Sequence, residues 1–277
     1  MDAPDLVRDV HREYVLSGAQ VIESNTFGAN RYRLRSHGRE ADLESINLAG
    51  ARLAREAAGP GRWVAGSMGP TGLLLKTLER EELEEVEGAF AQQAEVLRRA
   101  EVDFLLLETF RQPKELDLAI RACRRVAADL PIVASVSFDA FGEMSDGTGP
   151  ELMAKRIADL GADALGVNCA DGPAGVYEMA TRVLDVGLPV IAQPNAGLPR
   201  RVEGRFAYMA TPEYFRIYSR LLFKAGVRGV GGCCGTTAKH IKKIASSARM
   251  VGGTPVDPGG GRRDAAPPEI VEVIAVE

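Results

Sequence analysis

Cysteine is the residue type here with the most chemistry to offer, and three of the four cysteines stand where a strand should end. Cys233 and Cys234 are neighbours inside GGCCGTT (231–237), and Cys169 closes the run ADALGVNC (162–169). Thiolates are nucleophiles and soft metal ligands. Adjacent strand residues point to opposite faces, so Cys233 and Cys234 can converge on one atom only where the backbone bends sharply, which Gly231, Gly232 and Gly235 permit. Three thiolates from two strand ends would make a Cys₃ zinc site with its fourth position open, the catalytic kind. Buried structural thiols, or a vicinal redox pair at Cys233 and Cys234, fit the same spacing. Cys123 differs, because it falls in the helical run PKELDLAIRACRRVAADL (113–130), where a cysteine is packing.

Other expected strand ends also carry polar residues that an apolar barrel does not need. Glu108 and Thr109 follow DFLLL, Asn168 precedes Cys169, Gln193 and Asn195 follow PVIA, and Asn25 and Thr26 follow AQVIES. Any one could cap a loop. Together they favour a site for a polar ligand. The histidines are weaker candidates: His240 is expected to face solvent at a helix start, and His11 and His37 sit among charged residues and are expected to be exposed. The glutamate-rich run EREELEEVE (79–87) reads as the solvated face of a helix. SMGPTG (67–72) lacks the spacing of a phosphate cradle.

The elements that must position these residues alternate between apolar, β-branched runs and segments of helical period, the pattern of a parallel α/β fold. Strands are expected at 19–24, 62–68, 103–109, 131–138, 162–169, 189–195 and 228–233, about 35 residues apart on average. That interval suits a (β/α)₈ barrel, whose active site lies at the C-terminal ends of its strands. The chain opens on a helix (about 4–17), so a TIM barrel lacking its first strand is the expected architecture. Such a gap would leave strands 19–24 and 228–233 as exposed edges. Residues 1–250 are the expected barrel, and 251–268 read as a Gly/Pro-rich linker. Residues 269–277 (EIVEVIAVE) alternate like a strand and are expected to be a tail or the start of a further module, with filling of the gap as the less favoured alternative.

Composition excludes several classes. With 45% hydrophobic and 26% charged residues the chain can fold around a core. A net charge of −4 without a basic run opposes binding to nucleic acid. No charge-free stretch reaches the ~20 apolar residues of a membrane span, and the start has no signal-like apolar block. Few, unevenly placed cysteines point to thiol or metal chemistry in a reducing compartment, so the expected location is cytoplasmic.

GADALGVNC with GGCCGTT, together with VIESNTFGAN (21–30), DFLLLETF (103–110), SDGT (145–148) and QPNAG (193–197), resembles the zinc-dependent homocysteine S-methyltransferases from about Pro4 to Arg249. The resemblance implies a TIM barrel with Zn²⁺ held by Cys169, Cys233 and Cys234 and the sulfur of L-homocysteine as fourth ligand. It implies that Glu108 binds the homocysteine amino group, that Asn195 fills the fourth position when substrate is absent, and that Asn25, Thr26 and Asn168 lie near the substrate. The product would be methionine. The methyl donor would be S-methylmethionine, betaine, or methyltetrahydrofolate by way of cobalamin, and residues 210–237 with the Gly/Pro-rich linker resemble a bacterial branch often fused to a methylenetetrahydrofolate reductase. One departure stands out: the family's opening strand and DGAMGT-like loop have no match here.

Overall fold

In this computed structural model the described residues are 3–202, 205–252 and 272–275. The elements run α1 (Pro4–Leu16), β1 (Val21–Glu23), α2 (Arg31–Arg35), α3 (Leu43–Ala58), β2 (Trp63–Met68), α4 (Arg80–Arg99) and β3 (Phe104–Phe110). There follow α5 (Pro113–Val126), β4 (Ile132–Val136), α6 (Pro150–Asp159), β5 (Ala164–Cys169), α7 (Gly172–Arg182), β6 (Val190–Pro194), β7 (Arg200–Val202), β8 (Arg205–Ala207), α8 (Pro212–Ala225), β9 (Gly229–Gly231), α9 (Ala238–Met250) and β10 (Glu272–Ala275). All seven expected strands are present, with ends shifted by one or a few residues. Sequence reading missed the antiparallel pair β7–β8, which lies outside the barrel.

The barrel closes in the order β1-β10-β9-β6-β5-β4-β3-β2, with parallel pairing throughout. The expected gap is therefore not open. No strand precedes α1 among the described residues, but β10 lies between β9 and β1, pairing Val273 with Val230 and Val21 with Ile274. Residues 272–275 thus fill the gap, the less favoured alternative, and strands 19–24 and 228–233 are not the exposed edges that were expected. The physical reason is that a parallel ladder needs only an extended segment of matching direction and length, wherever in the chain it comes from. The expected linker at 251–268 falls, beyond Gly252, outside the described residues.

Two apolar layers and one polar layer build the interior. Helices bury one face against the outside of the sheet. In α4, for example, Val86, Phe90, Ala94 and Leu97 recur every three or four residues and are buried, while Glu81, Glu84 and Glu85 stay exposed as expected. Inside the barrel Val21, Ala65, Leu106, Val133 and Ile191 form a separate cluster. Strand periodicity of two then puts the residues two positions further on into the next layer up: Glu23, Ser67, Glu108, Ser135 and Gln193, all buried. Gly166 on β5 makes room for this layer, because a Cβ there would overlap the Ser135 side chain.

The opposite end is stapled by carboxylates. Asp103, just before β3, accepts the Val64 N–H at 2.6 Å and pairs with Arg55 at 2.7 Å. Asp163, just before β5, accepts the Ile132 N–H at 2.7 Å and pairs with Arg124. Each satisfies a donor at the start of the neighbouring strand, which fixes the strand register and hence the height at which the polar layer sits.

Candidate metal centre and amino-acid site

The three strand-end cysteines converge. Their sulfur atoms lie within 4.8 Å of one another, and Cys233 Sγ is 3.9 Å from Cys234 Sγ. Three bonds through the end of β6 bring the two chain segments together: Asn195 N–H donates to the Cys169 carbonyl at 3.3 Å, Cys233 N–H to the Pro194 carbonyl at 2.9 Å, and Ala196 N–H to the Cys234 carbonyl at 2.9 Å. The bend expected at GGCCGTT is present, with Gly235 at φ 77° under the ring of Tyr208, where a Cβ would overlap that ring. Cys169 and Ala170 also take left-handed backbone, at φ 63° and 52°. Such conformations are uncommon for residues with side chains and collect at functional sites.

The donor set fits a tetrahedral metal. With metal–sulfur bonds of about 2.3 Å, tetrahedral sulfurs stand about 3.8 Å apart, so the observed cluster needs only a small contraction. Its charge is already partly in place. Side-chain hydrogen bonds from Cys169 and Cys233 hold the exposed Cys234 thiol down to about 3. Cys233 is pushed up by its bonds to Cys169 and Cys234 and by burial. Cys169 is raised as well: its bond with Cys233 favours the thiolate, but the bond with Cys234, burial and the Cys234 charge outweigh it. The cluster thus keeps one thiolate solvated by two S–H donors. Cys123 stands apart, buried in α5 and pushed up to about 12 by desolvation, which agrees with a packing role.

Amides surround the sulfurs. Asn168 sends Nδ2 to Thr109 Oγ1 at 2.7 Å and towards Cys233 Sγ at 3.8 Å, and its Oδ1 accepts the Thr109 N–H at 2.9 Å and the Ser135 hydroxyl at 3.1 Å. Those bonds hold Thr109 at φ 61°. Asn195 donates to the Ala170 carbonyl at 2.8 Å and points the same nitrogen at Cys169 Sγ, 3.8 Å away. One layer below, Glu108 is buried. Desolvation raises its carboxyl to about 7 against hydrogen bonds from Ser67 and Glu23, with the Cys234 charge adding to the rise.

The other expected site residues divide. Asn25 is exposed with φ 47°, whereas Thr26 is buried and its hydroxyl is used internally, donating to the Ser67 carbonyl at 2.7 Å beside Ser24 Oγ at 2.6 Å. His37 is exposed as expected. His240 and His11 correct the expectation of exposure. His240 accepts the Thr237 N–H on Nδ1 at 3.0 Å, meets the Ala210 carbonyl through Nε2 at 3.0 Å and packs edge-on to Phe215, so it braces the loop that follows the cysteine pair. His11 is 2% exposed because it lies three residues before Tyr14 on the inner face of α1. Glu23 escaped sequence reading altogether. Its position two residues after Val21 was the signal, since that places it inside the barrel.

A family model for homocysteine S-methyltransferases matches residues 1–248. The chain belongs to the homocysteine S-methyltransferase family. A methionine synthase of Mycobacterium tuberculosis is 32% identical over 260 residues, which cover 90% of this chain and 22% of that protein. The S-methylmethionine–homocysteine S-methyltransferase BHMT2 of Mus musculus is 31% identical over 264 residues, covering 88% and 70%. The chain thus spans about a fifth of the length of the methionine synthases it matches. A metallated form of the homocysteine methyltransferase MmuM from Escherichia coli superposes with a TM-score of 0.72 over 90% of this chain and 86% of that one, at 24% identity. That likeness shows the family fold, a TIM barrel. The family model stops short of β10, so the strand that closes this barrel lies outside the matched region. No helix among the described residues is long and apolar enough to cross a membrane.

Proposed function

We propose that this chain transfers a methyl group to the thiol of L-homocysteine, giving methionine, with zinc held by Cys169, Cys233 and Cys234. The observation that carries the reading is the convergence of those three sulfurs above a buried carboxyl group. Bound there, zinc supplies the Lewis acidity that removes the proton from an alkyl thiol near neutral pH while leaving the sulfur nucleophilic. The chain's own residues do the rest. Asn168 orients the buried Cys233, and Glu108 offers a negative charge to the substrate's ammonium group in a desolvated layer, where such a pairing is strong. Asn195, whose amide nitrogen points at Cys169 Sγ and whose oxygen accepts the Gly197 N–H, would turn that oxygen to the fourth position when no thiol is bound, and Asn25 lies at the rim. The product is a thioether, a weaker ligand than a thiolate, which favours release. Three reduced thiols at the barrel mouth need a reducing compartment, which agrees with a cytoplasmic protein.

The relatives' names include both methionine synthases and S-methylmethionine or betaine enzymes, so the donor is to be read by experiment. Protein purified under reductant is analysed for metal, then assayed for methionine with S-methylmethionine, betaine, and methyltetrahydrofolate with a cobalamin carrier. One zinc per chain and methionine from one of these donors are expected. Metal-free protein that cycles Cys233 and Cys234 between thiol and disulfide would overturn the reading in favour of a redox protein.

A further inference from the structure

The polar layer beneath the cysteines holds two carboxyl groups in contact, and only Glu108 has a role so far. Glu23 on β1 and Glu108 on β3 are hydrogen-bonded to each other, at 4% and 3% exposure. Two carboxyl groups can share a hydrogen bond only if one of them keeps its proton. Gln193 on β6 donates Nε2 to Glu23 Oε1 at 2.9 Å, and Ser67 on β2 donates its hydroxyl to Glu108 Oε1. Each carboxyl group thus accepts one outside hydrogen bond, and the bond they share favours the charged form of Glu108, which makes Glu23 its donor. The direction of the chain runs from Gln193 through Glu23 to Glu108.

The same layer contains an unmet need. Gln193 is 1% exposed, and its Oε1 is buried without a hydrogen-bond partner among the described residues. A buried amide oxygen without a donor is costly, and an ammonium group brings three donors.

We propose that Glu23 is a positioning residue for the substrate's amino group: as a neutral acid it holds Glu108 as the single anion of the barrel interior and keeps Gln193 beside it as a further acceptor, so that the site selects α-amino thiols over thiols without the amino group. This rests on the homocysteine reading above. It explains why a second carboxyl group is placed where it cannot add charge. Two ionised carboxylates in contact would repel in this dry layer, whereas one anion with an acid donor is aligned and ready for one cation.

The test is calorimetric binding of L-homocysteine and of 4-mercaptobutanoic acid, the same molecule without its amino group, to zinc-loaded protein. The unaltered protein is expected to prefer homocysteine by at least about tenfold, the size of one hydrogen bond to a charged group. Glu23→Met, which keeps length but removes both hydrogen bonds, should cost homocysteine about tenfold or more and leave 4-mercaptobutanoic acid unchanged. Glu23→Gln can still donate to Glu108 and accept from Gln193, so it should retain the preference. Zinc content and melting temperature are read for every variant. Should Glu23→Met fail to fold, Glu23→Gln decides alone, because loss of its preference with zinc retained overturns the neutral-donor role. Preference that survives Glu23→Met, or equal weakening of both thiols, overturns the inference alone. No preference in the unaltered protein overturns the homocysteine reading and this inference with it.

Discussion

Asn168 lies behind Cys233, with its amide nitrogen 3.8 Å from the sulfur and its oxygen fixed by the Thr109 N–H at 2.9 Å. One side chain therefore ties a sulfur of the proposed metal site to the end of β3, where Thr109 has φ 61°. Groups that orient ligands in this way typically govern affinity by ten- to a hundredfold. Asn168→Ala should lower metal affinity by about that factor, measured by competition with a chromophoric chelator, while the barrel still folds. Unchanged affinity would mean that the loop backbone alone aligns Cys233.

The cysteines should separate cleanly into ligands and packing. Ser in place of Cys169, Cys233 or Cys234 should abolish stoichiometric metal, because a neutral hydroxyl replaces a thiolate. Cys123→Ala should keep one metal per chain. Metal analysis after gel filtration reads both, and full metal in Cys233→Ser, or its loss in Cys123→Ala, would refute the assignment.

Closure of the barrel by β10 predicts a dependence of the metal site on the far end of the chain. Residues 272–275 pair with β9, which leads directly into Cys233, and with β1, which carries Glu23. Ile274→Pro removes a ladder donor and forces the strand apart, and deletion of 269–277 removes the pairing outright. At ~1 kcal/mol for each ladder hydrogen bond lost, the deletion should lower the melting temperature by roughly 10 °C. Metal affinity should fall with it. Equal melting curves with and without residues 269–277 would show that closure contributes nothing.

Stability should also depend on His11. Burial lowers its pKa from 6.5 to about 4, so it stays neutral in the folded chain over a range where the unfolded chain binds a proton. The unfolded state then binds more protons, and stability rises with pH across that window. Acidification from about pH 6.5 towards 4 should cost up to about 3 kcal/mol through this one residue. Denaturant melts of the unaltered protein and of His11→Gln across that range should diverge in slope, the variant being flatter. Parallel slopes would rule the effect out.

Much of the molecule was legible in its sequence, for reasons that are local. Strand runs, helix periods and the glycines around Cys233 are properties of neighbouring residues, so the seven strands, the sulfur cluster of Cys169, Cys233 and Cys234 and the packing role of Cys123 could be read from chain order and spacing. What the tertiary structure decided is non-local. Backbone direction, not sequence position, let Glu272–Ala275 take the place between β1 and β9. Burial of His11 and His240 depended on which helix packs against which, and that is set by the whole barrel rather than by their charged neighbours. The contact between Glu23 and Glu108 needed a closed sheet to bring β1 and β3 round to the same interior layer, since a period of two fixes which residues point inward but only register and curvature fix which of them meet.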